Sequence, residues 1–198
     1  MAEPTPPARG PLLDPASLSP DQRALYDELC SGPRAGAGRP RGPVDDEGRL
    51  AGPFNAMLYV PTIGGPLQRL GAALRYTGDL DDVVRELVIL RVAGHHASAY
   101  ERQAHRQVAR RLGVAETLLA AVDRGVPSDV SATAAAALGL AQRILDRDLP
   151  DDAEYARLHA VLGEAGVFEV NALVGYYSLL ATQLALFGVR APTEEELR

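Results

Sequence analysis

Four side chains in one stretch of this chain have types and spacing that suit proton chemistry: Glu86, Ser98, Glu101 and His105. On a helix of about 3.6 residues per turn, offsets of 3 and 7 return to nearly the same direction, so Ser98, Glu101 and His105 fall along one stripe. Ala104, Val108 and Leu112 continue it, which predicts that the stripe faces the interior. Glu86 belongs to the preceding helix, beside Val83, Leu87 and Leu90, and is expected at the edge of the core. A buried polar group costs about 1 to 3 kcal/mol unless it is paired. These residues therefore form either a satisfied structural network or a working site.

As a working site, Glu101 and His105 stand at i, i+4. A hydrogen bond between them would fix the imidazole tautomer and raise its basicity, with Glu86 as a second proton carrier. As a structural network, the same two side chains would simply satisfy each other. Metal binding is the weaker reading. His95, His96, Glu101 and His105 are suitable ligand types, but adjacent histidines at a turn point in different directions and lack the His-Glu-x-x-His spacing of a helical zinc site, so no metal is expected. Ser98 lacks the Gly-x-Ser-x-Gly elbow of a nucleophile. It is expected to cap its helix or, with His96, to hydrogen-bond a substrate.

Around this core stand weaker candidates. Tyr100 lies about 100° from Glu101 and is expected to pack between helices, at a subunit contact or against substrate. Asn55, between Phe54 and Met57, is a polar residue in an apolar helix and a candidate substrate contact. Tyr59, Tyr76, Tyr176 and Tyr177 are each expected in core packing rather than in a pocket. Arg91 and Arg106 are candidates for holding a substrate carboxylate. No Gly-rich phosphate loop, dinucleotide fingerprint or haem motif is present, so no cofactor is expected.

The elements that must position these groups read as helices throughout, with no convincing period-two strand. Prolines at 4, 6, 7, 11 and 15 predict a disordered or extended tail over residues 1–18. Ser19 followed by Pro20 reads as a helix start, with Leu25 and Leu29 on its apolar face. Residues 31–52 are rich in Gly and Pro and read as a long loop. Phe54 to Val60 reads as a short helix stopped by Pro61, and Pro66 to Tyr76 as another with Leu67, Leu70, Ala73 and Leu74 on its apolar face. Two helices, 83–93 and 97–112, form an antiparallel hairpin across Gly94-His95-His96, and Gly113 closes the second. Further helices are read at 115–124, 131–147, 152–163 and 167–187. Glu169-Val170-x2-Leu173 echoes Glu86-Leu87-x2-Leu90, which would fit an old duplication. One helical domain over 19–192, with a short tail at 193–198, is the expected organisation.

Composition agrees. The chain has 198 residues, 46% of them hydrophobic, enough for one sizeable core. A formal net charge of −6 argues against nucleic-acid or anionic-membrane partners, which need a basic footprint. Cys30 is the only cysteine and can form no internal disulfide. No segment reads as a signal peptide or a membrane span, so the cytoplasm is the expected address.

The spacing Glu86-x11-Ser98-x2-Glu101-x3-His105, set in "RELVILRVA" and "YERQAHRQVARRLGV", resembles the Glu-x11-Cys-x2-Cys-x3-His signature of the carboxymuconolactone decarboxylase and alkylhydroperoxidase D-like superfamily. Both cysteines are missing, and the Glu four residues before the His matches the cysteine-free decarboxylase branch. The likeness runs from about Phe54 to Pro192, through "GPFNAMLYVP" and "GEAGVFEVNALVGYYSLLATQLALFGV". It implies an all-α, antiparallel bundle of the alkylhydroperoxidase D-like type, assembled as a homo-oligomer, a trimer or hexamer, with sites near subunit contacts. The function it implies is a cofactor-independent lyase or isomerase moving protons on a small organic acid, lactone or enolisable carbonyl, in aromatic degradation or natural-product biosynthesis. In that reading His105 is base or acid, Glu101 its orienter and Glu86 a second proton carrier. The rival reading is a ligand-binding or assembly protein on the same fold. A thiol peroxidase ranks third, because Cys30 lies outside the motif.

Overall fold

Ser19 opens the first helix as its sequence suggests. Its hydroxyl accepts from the Gln22 amide while the Gln22 side chain accepts from the Ser19 amide, a reciprocal capping box with Pro20 at the first helical position. This starts α1 (Pro20–Ser31), which buries Leu25 and Leu29. The computed structural model describes residues 8–32 and 43–193 and divides into two compact units, residues 78–182 and the chain on either side of them.

In the flanking unit, α2 (Phe54–Met57) is followed at once by α3 (Pro61–Tyr76). Pro61 therefore starts a helix rather than only ending one, since its fixed φ suits the first helical position. Pro66 sits inside α3. The buried face of α3 is Gly64, Gly65, Gln68, Gly71 and Leu74, while Leu70 and Ala73, expected inside, are exposed. The register follows from packing: a Cβ on Gly64 would stand 2.1 Å from the Met57 carbonyl oxygen, so only glycine allows this approach to α2. The tail is tied down over its described part. Asp14 caps a 3-10 turn at Pro15–Ser17, the Arg9 amide donates to the Phe187 carbonyl, and the Leu13 amide donates to Asn55 Oδ1. Residues 43–52 of the Gly/Pro-rich loop are held by Asp45, which accepts from the Arg49 amide and guanidinium. Residues 1–7, 33–42 and 194–198 lie outside the described residues.

The central unit is built around α4 (Asp82–His95). Asp81 caps it, accepting from the Val83 and Val84 amides, and every residue from Val84 to Ala93 is buried. A helix apolar on one side would hide only a stripe; α4 is enclosed because α5 (Ala99–Arg111), α6 (Glu116–Arg124) and α7 (Ala132–Asp146) all pack on it. The last helix, α8 (Asp152–Leu186), is broken at Gly163 (φ 65°), the boundary expected between two helices there. It adds Val170, Leu173 and Val174 to the buried set. Among the described residues there is no strand, only an isolated bridge between Val44 and Leu50.

Both helices of the α4/α5 hairpin end in Schellman caps. At the end of α5 the Gly113 amide donates to Arg110 and the Val114 amide to Ala109, with Gly113 at φ 83°. At the end of α4 the Ala97 amide donates to Gly94 and the Ser98 amide to Ala93, with Ala97 at φ 51°. An alanine thus holds a left-handed position that glycine ordinarily fills, immediately before the first residue of the polar stripe.

Candidate functional site

Burial on α5 follows the stripe but not its predicted continuation. Ser98, Glu101, His105 and Ala109 are buried on this helix, whereas Ala104 and Val108 are half-buried and Leu112 is exposed. The buried direction is thus 98, 101, 105, 109, which turns the polar groups directly onto α4.

On that face the pairing differs from expectation. His105 Nδ1 is 2.7 Å from Glu86 Oε2, and no hydrogen bond joins His105 to Glu101. Glu86 is 2% exposed, so it lies inside the core rather than at its edge. The helix-to-helix bond wins because α4 packs straight against the His105 turn, whereas an i, i+4 bond would need both side chains to lean along the helix. With Glu86 accepting from Nδ1–H, the basic lone pair of the neutral ring is on Nε2, an assignment from geometry. The ring of Tyr177, from α8, meets the imidazole edge-on at 5.1 Å, and Tyr176 meets Tyr177 the same way at 5.2 Å. Sequence reasoning had left Tyr177 among four equivalent tyrosines. Nothing in the period of α8 singles out which of them reaches His105.

One turn earlier the situation reverses. Glu101 is 3% exposed, and neither its carboxylate oxygens nor the buried Ser98 hydroxyl makes a well-formed hydrogen bond, although the two side chains stand close enough to interact. Burial pushes the Glu101 carboxyl up to about 8, with the nearby Ser98 hydroxyl opposing the rise. At neutral pH burial therefore favours the protonated form of Glu101. Ser98 occupies the N-cap position of α5 but makes no capping bond; its hydroxyl acts on the Glu101 carboxyl instead.

The other candidates are placed as follows. His96 is exposed, and its Nε2 is 2.9 Å from Ser178 Oγ of α8, a partner that no spacing along the chain indicates. Burial, and then the neighbouring His95, push the His96 imidazole down. Tyr100 is buried, consistent with packing between helices. Asn55 belongs to the flanking unit, where its side chain accepts from the Leu13 amide and donates to the Pro11 carbonyl and the Tyr59 hydroxyl, so its polar groups are used in tying down the tail. Arg91 and Arg106 are likewise occupied. Arg91 donates to Gln142 and to the Val122 and Asp123 carbonyls at the end of α6, and Arg106 pairs with Asp123 at 2.6 Å. They fasten α6 to α4 and α5, which leaves neither for a substrate carboxylate. The chain contains no lysine, so amine catalysis through a Schiff base has no residue to use. Among the described residues no cluster of three His, Cys, Asp or Glu could hold a metal ion. Glu169 does not repeat Glu86: its Oε2 accepts from the Asp79 and Leu80 amides and anchors the entry to α4.

The hairpin that carries Glu86, Ser98, Glu101 and His105 lies within residues 61–143, which match the carboxymuconolactone decarboxylase family. Over that stretch, less than half of the chain, the sequence is similar to the carboxymuconolactone decarboxylase family. The match is shorter than the span of about Phe54 to Pro192 over which the likeness was read. None of the curated proteins compared matches the chain. Solved structures extend the likeness in fold to nearly the whole chain. The AhpD-core, peroxidase-related protein of Ralstonia eutropha JMP134 is 18% identical, with 99% of this chain and 96% of that one covered at a TM-score of 0.73. A peroxidase-related protein of Silicibacter sp. TM1040 is 16% identical, covering 100% and 97% at 0.72. The debrominase Bmp8 is 13% identical, covering 90% and 92% at 0.66. The all-α, AhpD-like fold is therefore established, and it is one that also carries an enzyme.

Proposed function

We propose that this protein is a cofactor-independent enzyme that transfers protons on a small organic acid, lactone or enolisable carbonyl compound, giving isomerisation, elimination, decarboxylation or cyclisation. The observation that carries this reading is a buried acid, Glu101, with no ion pair and a carboxyl pushed up by burial, one helical turn from a carboxylate-held imidazole, His105. An acid kept protonated by burial beside an imidazole held in one tautomer is a usual pairing of acid and base.

In this mechanism Glu86 is the orienter of His105, the role first expected of Glu101. His105 Nε2 takes a proton from the carbon next to the substrate carbonyl, and the electron pair left behind moves onto the carbonyl oxygen. The Glu101 O–H donates a hydrogen bond to that oxygen as its charge grows. The proton then returns from the imidazolium, to the same carbon or to another conjugated with it. His105 acts as base and then acid, so no proton is gained or lost over the cycle.

The reading is tested without knowing the physiological substrate. A panel of small ketones and lactones is incubated with the protein in deuterium oxide, and loss of α-proton signals is followed by proton NMR. Exchange faster with the wild-type protein than with His105→Gln supports the proposal. If no member of the panel exchanges faster with the wild-type protein, the proton-transfer reading fails and ligand binding on the same fold becomes the better account.

A further inference from the structure

The charges around the stripe restrict what can sit against it. Glu86 and Glu101 bring two carboxyl groups to the α4/α5 interface, and the guanidinium groups nearest in sequence are used elsewhere. Arg85 pairs with Asp82 and donates to the Leu80 carbonyl; Arg91 and Arg106 hold the end of α6. Arg102 follows Glu101 by one residue and so points about 100° away from it around the helix. No cation contributes to the state of the Glu101 carboxyl, which burial and the Ser98 hydroxyl govern between them. An incoming carboxylate would leave water without a fixed positive charge to meet it, at a cost of several kcal/mol for an unpaired buried ion.

The unpaired groups themselves have a definite demand. The Ser98 hydroxyl and the protonated Glu101 carboxyl are two O–H groups one turn apart on one buried face; they stand close enough to influence each other, but neither makes a well-formed hydrogen bond. A carbonyl oxygen has two lone pairs and can accept from both. Ser98 stands where the stripe reaches the surface, since Ala97 and Ala99 on either side of it are exposed.

We propose that the Ser98–Glu101 face of α5 is a subsite for the oxygen of an uncharged carbonyl compound, a ketone, lactone or amide, and that it discriminates against carboxylates. This rests on the proton-transfer reading for its place in a reaction, and it narrows the three substrate classes given there to the uncharged two. The selectivity follows from charge: both hydroxyl donors satisfy a neutral oxygen without ionising anything, whereas an anion finds no counter-charge.

The test is a binding measurement on the full chain that needs no turnover. Two matched pairs are titrated at pH 7 by ligand-observed NMR: benzamide against benzoate, and 2-furamide against 2-furoate. Each pair keeps ring and carbonyl and changes only the charge. At least one amide is expected to bind about tenfold or more tighter than its carboxylate, the scale of one lost hydrogen bond in a buried setting. Ser98→Ala should weaken the amide several-fold while circular dichroism stays unchanged. Equal or tighter binding of the carboxylates overturns the proposal, as does failure of both amides to bind or amide binding indifferent to Ser98→Ala. Proton exchange can fail while this selectivity holds, and selectivity can fail while exchange holds, so the two readings are separable.

Discussion

Two neighbouring turns of α5 treat buried polar groups in opposite ways. At the His105 turn, imidazole and carboxylate meet at 2.7 Å and an aromatic ring closes over them. At the Ser98–Glu101 turn, a carboxyl of similar depth has only the Ser98 hydroxyl beside it and no well-formed hydrogen bond. If both turns served only to hold the helices together, the second would be a defect costing about 1 to 3 kcal/mol, in a protein whose whole stability is about 5 to 15. A folded chain keeps such a cost where something else uses the group. Under the proposed function, the paired turn is the fixed part of the site and the unpaired turn the part completed by a ligand.

The largest effect that sharpens this contrast is on stability against pH. The folded-state value of Glu101 is about 8, against 4.5 for the free side chain. Between those values the folded protein keeps a proton that the unfolded chain has released, so the unfolded chain is favoured progressively. The stabilising contribution is complete below about 4.5 and lost as pH rises through about 8. Its full size is on the order of a few kcal/mol. Glu101→Gln removes the titration and leaves a constant cost instead. Urea unfolding from pH 5 to 9 should therefore show stability falling more steeply in the wild type than in the variant; parallel curves would mean that Glu101 is ionised at neutral pH and the contrast between the two turns is lost.

Next in size is the effect on chemistry. His105→Gln keeps a donor for Glu86 but cannot take a proton, so α-proton exchange should fall by about 100-fold or more. The melting temperature should move only a few degrees, because the amide can still bond the carboxylate. A large loss of stability with exchange unchanged per folded molecule would make the paired turn architecture alone.

A third buried acid supplies the control. Glu169 is also buried, and although its Oε1 has no hydrogen bond, its Oε2 accepts two backbone amides at the entry to α4, so it serves the fold. A Cβ on Gly78 would stand 2.0 Å from Glu169 Oε1. Gly78→Ala should force the carboxylate off those amides and cost about 1 to 3 kcal/mol in urea unfolding, with a pH dependence like that of the wild type. No change in the unfolding midpoint would show that the loop yields and that Glu169 is not an anchor.

The all-helical fold was legible because apolar periodicity and caps are local. Ser19-Pro20 and Gly113 announce helix ends through their own backbone preferences, and the structure ends helices there. The shared buried side of Ser98, Glu101 and His105 was also legible, since spacing alone aligns these three on one side of a helix. Their pairing was not. Whether His105 bonds Glu101 or Glu86 depends on how closely α4 and α5 approach, and sequence spacing within one helix carries no information about the distance between two. The same reason hid Ser178 and Tyr177, which come from α8. Pro61 was misread for a different cause: a proline that cannot continue a helix can equally begin one.

The smallest effect concerns the turn that delivers Ser98. Ala97 and Gly113 fill the same left-handed position in two Schellman caps, at φ 51° and 83°. Alanine there costs about 1 kcal/mol relative to glycine, because its Cβ crowds the following carbonyl. No heavy atom lies within 4 Å of a Cβ placed on Gly113, so Gly113→Ala carries the backbone cost alone. The two exchanges should therefore act in opposite directions: Gly113→Ala lowering the melting temperature by about 2 to 4 °C and Ala97→Gly raising it by a similar amount, less the entropy that glycine adds to the unfolded chain. If the strain at Ala97 also fixes where the Ser98 hydroxyl points, Ala97→Gly should weaken amide binding even as it stabilises the protein. A gain in stability with no loss of binding would leave Ala97 as a cap and nothing more, while a loss of stability would show that its cap is not strained at all.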